Sequence, residues 1–199
     1  MNSWKKCLVV VCLLLLILPQ AQAGTDPQDL IESVANETLT RVRADRELIK
    51  KDSKYINRLV NDLVLPHFDF ERMSKWVLGK YWRKATKAQR EAFIPEFKLL
   101  LIRTYGTSLS EYSDQVIKFL PFRGKLASGD VTVRSEVDQP GGFPIPIDYK
   151  LHKKGSDWKV YDVKIDDVSL VANYRSSFSR QIRASGIDAL IQKLADKNE

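Results

Sequence analysis

Few side chains in this 199-residue sequence are placed to do chemistry on a substrate. Its two histidines, His67 and His152, are far apart, and a zinc site would need further nitrogen, sulfur or carboxylate donors beside them. His152 falls on the polar face of a predicted strand, where we expect it to be solvated, and His67 is expected to have a capping or surface role. No serine lies in a G-x-S-x-G turn, and no glycine-rich phosphate loop is present. The residues therefore predict no catalytic site, no metal site and no cofactor.

The acidic pair Asp166-Asp167 is the remaining candidate for acid–base chemistry. It follows a predicted strand directly and precedes a predicted helix. Acidic side chains are common in turns and at helix N-caps, so we interpret the pair as a turn and cap rather than as a general acid and base.

The N-terminal residues have the pattern of a secretory signal peptide. Two lysines precede an unbroken apolar run at 7–18, and Ala21-Gln22-Ala23 follows it. A basic head, a short apolar stretch and a small-x-small site together predict cleavage after Ala23. The run of about 12 residues is too short to cross a bilayer, which takes about 20. We therefore expect residues 1–23 to be removed on export and residues 24–199 to form a single domain.

Cysteine and charge content narrow the class of protein further. Cleavage after Ala23 would remove both cysteines, Cys7 and Cys12, so the exported chain could form no disulfide. A cysteine-free exported chain predicts a bacterial periplasmic protein that relies on its core. The 32 Lys and Arg exceed the 25 Asp and Glu but are dispersed, which argues against a nucleic-acid partner. The excess fits contact with anionic membrane surfaces or acidic proteins.

Helices are predicted over the first part of the chain, at about 24–112. Apolar residues recur with the helical repeat at 27–44, 52–65 and 70–78, and Gly79 ends the third of these helices. A fourth helix begins at a capping box formed by Thr86 and Gln89. Its stripe comprises Phe93, Phe97, Leu100, Leu101 and Tyr105. Pro95 inside it predicts a kink or a break.

At about 115–167 apolar residues recur at every second position instead of with the helical repeat, which predicts strands. Short turns at 140–142 and 155–156 favour an antiparallel meander of about four strands. In the last strand the apolar residues change face, which indicates a bulge or burial of both faces. Two closing helices at about 168–197 are predicted, with Gly186 between them. The sequence thus predicts an α+β domain with helices packed on one face of a curved antiparallel sheet.

Two long segments resemble the MlaC-type (toluene-tolerance) family. The first is 67–112, with FDFERM at 68–73 and the stretches VLG, YW and QR after it; the second is 158–187, with WKVYDV at its start and NYRSSF at 173–178. Pro144 to Leu151 resembles the strand between them, and Asp167 stands where the family pattern suggests glycine. The resemblance covers nearly all of the chain after residue 23.

The resemblance implies the fold and the function together. It implies an NTF2-like sheet with a helical subdomain that encloses an apolar pocket for the acyl chains of a glycerophospholipid. It also implies a soluble periplasmic carrier in the system that maintains outer-membrane lipid asymmetry. Its partners would be an outer-membrane lipoprotein–porin complex and an inner-membrane ABC transporter complex with a membrane-anchored substrate-binding subunit. We expect a monomer with phospholipid as cargo.

The positions of the apolar side chains predict which residues line such a pocket. Aliphatic and aromatic residues on the sheet-facing stripes are the candidates. They are Trp76, Leu78, Phe97, Leu101, Tyr105, Val133, Ile147, Tyr149, Val163, Ile165 and Phe178. Arg103 or Arg175 could pair with a phosphate at the mouth. Two other functions stay open: an NTF2-like isomerase or hydrolase with a histidine or carboxylate inside the cavity, and a protein-binding adaptor with a filled core.

Overall fold

The computed structural model describes residues 26–52, 54–111, 116–139 and 141–198, with the side chains of 107–111 left out. The predicted signal peptide, residues 1–23, lies outside the described residues. Seven α-helices are present in the described part of the chain. They are α1 (Pro27–Ala44), α2 (Arg46–Lys51), α3 (Tyr55–Leu63), α4 (Phe70–Leu78), α5 (Lys80–Lys84), α6 (Lys87–Glu111) and α7 (Leu170–Asn198). Within those residues, no helix is long and apolar enough to cross a membrane.

The predicted helix starts coincide with side-chain caps. Asp26 accepts a hydrogen bond from the backbone N–H of Gln28 at 2.8 Å and begins α1. At the start of α6, the backbone N–H of Gln89 donates to Thr86 Oγ1 at 3.2 Å, and the Gln89 side chain accepts from the backbone N–H of Thr86 at 3.0 Å. These bonds satisfy N–H groups that have no partner within the helix, which is why the sequence located both starts.

Helix α6 runs past Pro95 without a break, so that part of the prediction is wrong. Phe93 and Phe97 lie on either side of the proline and are both fully buried. Their rings stack with centroids 5.7 Å apart, and both rings contact Phe178 of α7. Burial of a large aromatic side chain stabilises a fold by about 1.5–3 kcal/mol. Two such anchors offset the single backbone hydrogen bond that proline removes.

Within the described residues, five strands form one antiparallel meander in the order β1-β2-β3-β4-β5. They are β1 (Ile117–Phe119), β2 (Asp130–Val137), β3 (Ile145–Lys154), β4 (Asp157–Ile165) and β5 (Val168–Ser169). The sequence predicted about four strands, and the two-residue β5 is too short to give a periodic signal. The α+β prediction is confirmed.

A bulge in β4 explains the change of face that the sequence showed. Lys150 pairs with Asp162, whereas the next residue, Leu151, pairs with Val160, so Tyr161 has no partner opposite it. The extra residue reverses which side chains face the helices on either side of the bulge. Trp158 and Val160 therefore share the core with Val163, as the sequence pattern required.

His152 is buried and not solvated, contrary to the sequence prediction. Its Nε2 lies 3.0 Å from Asp69 Oδ2, and its ring contacts Tyr161 at 5.8 Å between centroids. Asp69 reaches this face of β3 because its backbone N–H donates to the carbonyl of Val160 at 2.8 Å. Strand alternation showed only that His152 points away from the core. It could not show that Asp69, from a distant part of the chain, packs on that face of the sheet and helps to bury the histidine.

Helices cover the sheet through three apolar clusters. One lies among α4, α6 and α7 and includes Phe93, Phe97 and Phe178. A second lies on the sheet and includes Val133 and Leu151. The third joins α1, α3 and α6. Helix α7 bends at Gly186, where φ is 86° and ψ is 171°, so its two halves pack in different directions.

Candidate functional site

A cavity of about 230 Å³ lies between the helices and the sheet, where the three apolar clusters meet. Each cluster contributes to its wall, and so do the residues that join the clusters. The lining consists of Val60, Val64, Leu65, Phe68, Phe70, Met73, Leu101, Ile102, Tyr105, Gly106, Ile147, Tyr149, Val163, Ile165 and Leu170. The floor is therefore formed by β3 and β4 and the walls by α3, α4 and α6.

Six of the eleven residues predicted to line a pocket lie in this wall. On the sheet, Ile147 pairs with Ile165 and Tyr149 pairs with Val163, so the four side chains share one face of the β3–β4 ladder. On α6, Leu101 and Tyr105 lie one turn apart and face that floor. The structure thus brings together residues that are separated by up to about sixty positions in the chain.

The other five predicted residues lie outside the lining. Leu78, Phe97 and Phe178 are packed inside the helical cluster. Val133 lies in the sheet cluster, one strand away from the cavity floor. Trp76 is 45% exposed and packs on Tyr161 at 5.4 Å between ring centroids. A helical stripe identifies the buried face but not which of its residues borders a void.

Several lining residues were not among the predicted ones. Val60, Val64 and Leu65 come from the end of α3 and the 3₁₀ turn after it. The periodicity of α3 marked Val60 as buried, but nothing in the pattern separated a cavity wall from ordinary core. Gly106 allows α6 to approach α3, because a Cβ there would lie 2.7 Å from Asn57 Oδ1. That close approach narrows the cavity at this end.

The polar groups in the described lining are the hydroxyls of two tyrosines. Burial and the neighbouring hydroxyl of Tyr174 raise the pKa of Tyr105 to about 12. Burial likewise raises the pKa of Tyr149. Both rings therefore stay neutral at ordinary pH and can donate a hydrogen bond but not act as a base. Among the described lining residues there is no histidine, aspartate or glutamate, so the isomerase or hydrolase alternative lacks the group that it predicted.

The titratable groups that the sequence singled out lie elsewhere. His67 is half-buried after α3, where burial and then Lys159 lower its pKa. Neither Arg103 nor Arg175 lines the cavity. In the part of the chain that the structure describes, no cluster of three His, Cys, Asp or Glu could hold a metal ion. The arrangement can accommodate apolar chains.

Comparison with known proteins agrees with this geometry. The sequence profile of the MlaC protein family matches residues 32–196. The chain belongs to the MlaC family. Among MlaC-family relatives, the intermembrane phospholipid transport system binding protein MlaC of Haemophilus influenzae is 28% identical to this chain over 197 residues. The alignment covers 98% of this chain and 92% of that protein.

Two further relatives extend the comparison. The toluene tolerance protein ttg2D of Pseudomonas putida is 30% identical over 170 residues, covering 83% of this chain and 77% of that protein. The phospholipid-binding protein of Ralstonia solanacearum, solved in complex with a phospholipid, superposes with a TM-score of 0.80 at 31% identity. That match covers 87% of this chain and 97% of the other. The predicted family is thus confirmed.

Proposed function

We propose that this MlaC-family protein binds a phospholipid with its acyl chains in the cavity and carries it through the periplasm between two membranes. The observation that carries the proposal is the apolar cavity between α3, α4, α6 and the β3–β4 floor, in a fold that holds a phospholipid in the Ralstonia relative. Family membership supports the transport role, since the Haemophilus relative is named for intermembrane phospholipid transport.

The energetics of lipid transfer explain why such a cavity is needed. Each CH₂ removed from water contributes about 0.8 kcal/mol, so two chains of ~15 methylenes represent ~24 kcal/mol. A free phospholipid therefore crosses an aqueous gap very slowly. A carrier needs to approximate the apolar interior of a bilayer without exceeding it, because a tighter site would not release its cargo. A lining of aliphatic and aromatic side chains with two neutral hydroxyls meets this requirement.

The cavity must widen to accept this cargo. Its volume of about 230 Å³ is below the ~300–1,000 Å³ of sites for drug-sized ligands, and a two-chain phospholipid is larger than those ligands. Widening would separate α3 and α6 from the β3–β4 floor. The candidate joints are Gly79, between α4 and α5, and Gly186, inside α7, since both have positive φ. The head group would stay near solvent, so little selectivity for it is expected.

The remaining parts of the proposal rest on the sequence and the family. Residues 1–23 act as a signal peptide cleaved after Ala23, and residues 24–199 act as one monomeric, non-enzymatic carrier domain. The carrier exchanges lipid with an outer-membrane lipoprotein–porin complex and with an inner-membrane ABC transporter complex. In this way it maintains outer-membrane lipid asymmetry.

Native mass spectrometry of protein purified from a bacterial periplasm tests the cargo and its place together. We expect wild-type protein to carry diacyl phospholipid. Ile147→Trp and Ile165→Trp should fill the floor and lose most of that lipid, because both side chains are half-buried and border the void. Ile117→Trp is the matched control, since Ile117 is a half-buried strand residue outside the lining. Lipid-free wild-type protein, or equal lipid loss in the control, would overturn the proposal.

A further inference from the structure

Two stretches of the chain carry basic residues and no acidic ones. Residues 72–90 contain seven Lys or Arg, and residues 168–187 contain three, with no Asp or Glu in either stretch. The whole chain has 25 Asp and Glu among 199 residues, so each stretch of this length would ordinarily contain two or three. The absence is therefore a local feature and does not follow from the overall composition.

The fold places the two stretches side by side. At one end of α5, the Arg175 guanidinium packs over Gly79, where a Cβ would lie 3.0 Å from its Nε. Beyond the other end of α5, in the first turn of α6, the Gln89 side chain donates to the Asp188 carboxylate at 2.9 and 3.0 Å. The two contacts hold residues 79–89, which include α5, beside residues 175–188 of α7. We define the basic face as the exposed lysine and arginine residues of α5 and of the part of α7 before Gly186: Lys80, Arg83, Lys84, Arg175, Arg180 and Arg183.

The charges of the basic face are not compensated within the described structure. None of its six cations forms an ion pair with a described carboxylate. Their polar contact is a bond from Arg180 to the Ser176 hydroxyl at 3.0 Å. Some exposed cations elsewhere do have partners: Arg41 pairs with Asp45, and Arg58 pairs with Asp52. The basic face differs from those places because neither of its two stretches contains an acidic residue.

The shape of the basic face suits a flat anionic surface. Along α7 the arginines alternate with small side chains, and together they form an open groove. Its lining is Ala172, Arg175, Ser176, Ser179, Arg180 and Arg183. Small residues between the guanidinium groups let several phosphates approach at once, and arginine binds phosphate through two parallel hydrogen bonds. Half-buried Tyr81 and Trp82 on α5 are the residue types that favour the membrane–water interface.

We propose that the basic face of α5 and α7 binds the anionic head-group surface of a phospholipid bilayer. Basic residues near an anionic bilayer each contribute about a factor of five in binding, so six of them can hold a soluble protein at the surface transiently. The interaction is electrostatic, lies outside the cavity lining and does not depend on which cargo the cavity holds.

Co-sedimentation with vesicles tests the basic face directly. The protein is mixed with vesicles of phosphatidylcholine alone or of phosphatidylcholine and phosphatidylglycerol in equal parts. We expect binding to the mixed vesicles only, and a strong decrease as salt shortens the range of the attraction. The triple variant Arg83→Glu, Arg180→Glu and Arg183→Glu should bind at least about tenfold less.

A charge-matched control distinguishes the effect of this face on vesicle binding from the effect of the protein's net charge. Lys51→Glu, Lys125→Glu and Lys153→Glu change the net charge equally at exposed positions outside α5 and α7. This control should retain most of the binding, and both triple variants should keep the wild-type unfolding temperature. Equal losses of vesicle binding in the two variants, or no binding of wild-type protein to the mixed vesicles, would overturn the proposal. Binding of wild-type protein only to an acidic protein surface, with no vesicle binding, would also overturn it.

Discussion

Asp69 connects the helical part of the chain to the sheet. Its carboxylate accepts a hydrogen bond from the backbone N–H of Arg72 at 2.9 Å and so caps α4. It also lies 3.0 Å from His152 Nε2 and 3.0 Å from Lys154 Nζ, both on β3. Burial by itself would raise the pKa of Asp69, but the bonds from Arg72, Lys154 and His152 outweigh it and lower the pKa.

Asp69→Asn should therefore destabilise the protein in a pH-dependent way. At about pH 7 we expect a loss of about 1–3 kcal/mol in the free energy of unfolding, because the amide lacks the charge that these donors bind. A carboxyl whose pKa is lower when folded contributes stability above its unfolded pKa of about 3.9 and loses it as pH falls through the folded pKa. The difference in the free energy of unfolding between wild type and variant should thus disappear in acid, as urea unfolding at a series of pH values would show.

An exposed carboxylate gives the control for Asp69. Asp138 is exposed and forms no ion pair with a described residue, so Asp138→Asn should change stability by less than about 0.5 kcal/mol. If the free energy of unfolding differed by a constant amount between wild type and Asp69→Asn over the whole acid range, the stabilisation would not come from the charge of Asp69.

The sequence identified the single side chains only in part. Asp69 was recognisable as an N-cap from its place before α4, since capping is a local property. Its bond to His152 was not recognisable, because it joins residues 83 positions apart. His152 was therefore assigned to solvent, although it is buried. Helix capping depends on neighbouring residues and can be predicted from them, whereas pairing between distant residues depends on how the helices and strands pack.

At the scale of elements, Gly186 determines the direction of the last part of the chain. Its φ of 86° and ψ of 171° lie in a region that is nearly restricted to glycine. A Cβ at this position would meet no atom within 4 Å, so any cost of substitution comes from the backbone alone. The residues after it, including Leu190 and Leu194, pack into the helical cluster.

Gly186→Ala should lower the free energy of unfolding by about 1–3 kcal/mol through this backbone strain. Thermal or urea unfolding would measure it. Ser185→Ala, at the neighbouring exposed position, is the control and should have an effect within about 0.5 kcal/mol. An equally stable Gly186→Ala protein would show that α7 can run straight and that the bend is not required.

Most elements were predictable because their signals are local. The helix N-caps, glycine junctions and two periodicities placed α1, α3, α4, α6, α7 and β2 to β4 close to their observed bounds. The short α2 and α5 were not predicted, since five or six residues give no measurable periodicity. Of the kink or break expected at Pro95, the break is absent, because burial of Phe93 and Phe97 overrides the local preference.

At the scale of the whole molecule, the cavity arises from incomplete contact among three apolar clusters. Sequence patterning predicts which faces are buried, and six of the residues predicted from it lie in the cavity lining. It cannot distinguish a residue that borders a void from one that is fully packed, because both are apolar and both follow the same repeat. Phe97 and Leu101, one turn apart on α6, illustrate this: the first is packed on all sides and the second borders the cavity.

Position-resolved photo-cross-linking tests the central claim most directly. The probe is a phospholipid with a photoreactive group near the end of one acyl chain, loaded from vesicles, and the cross-linked peptides are identified by mass spectrometry. We predict attachment to the cavity walls, at residues such as Val60, Met73, Leu101 and Ile147. The same group on the phospholipid head should not label these residues. Attachment of the chain-end group only to exposed surface residues would contradict the account.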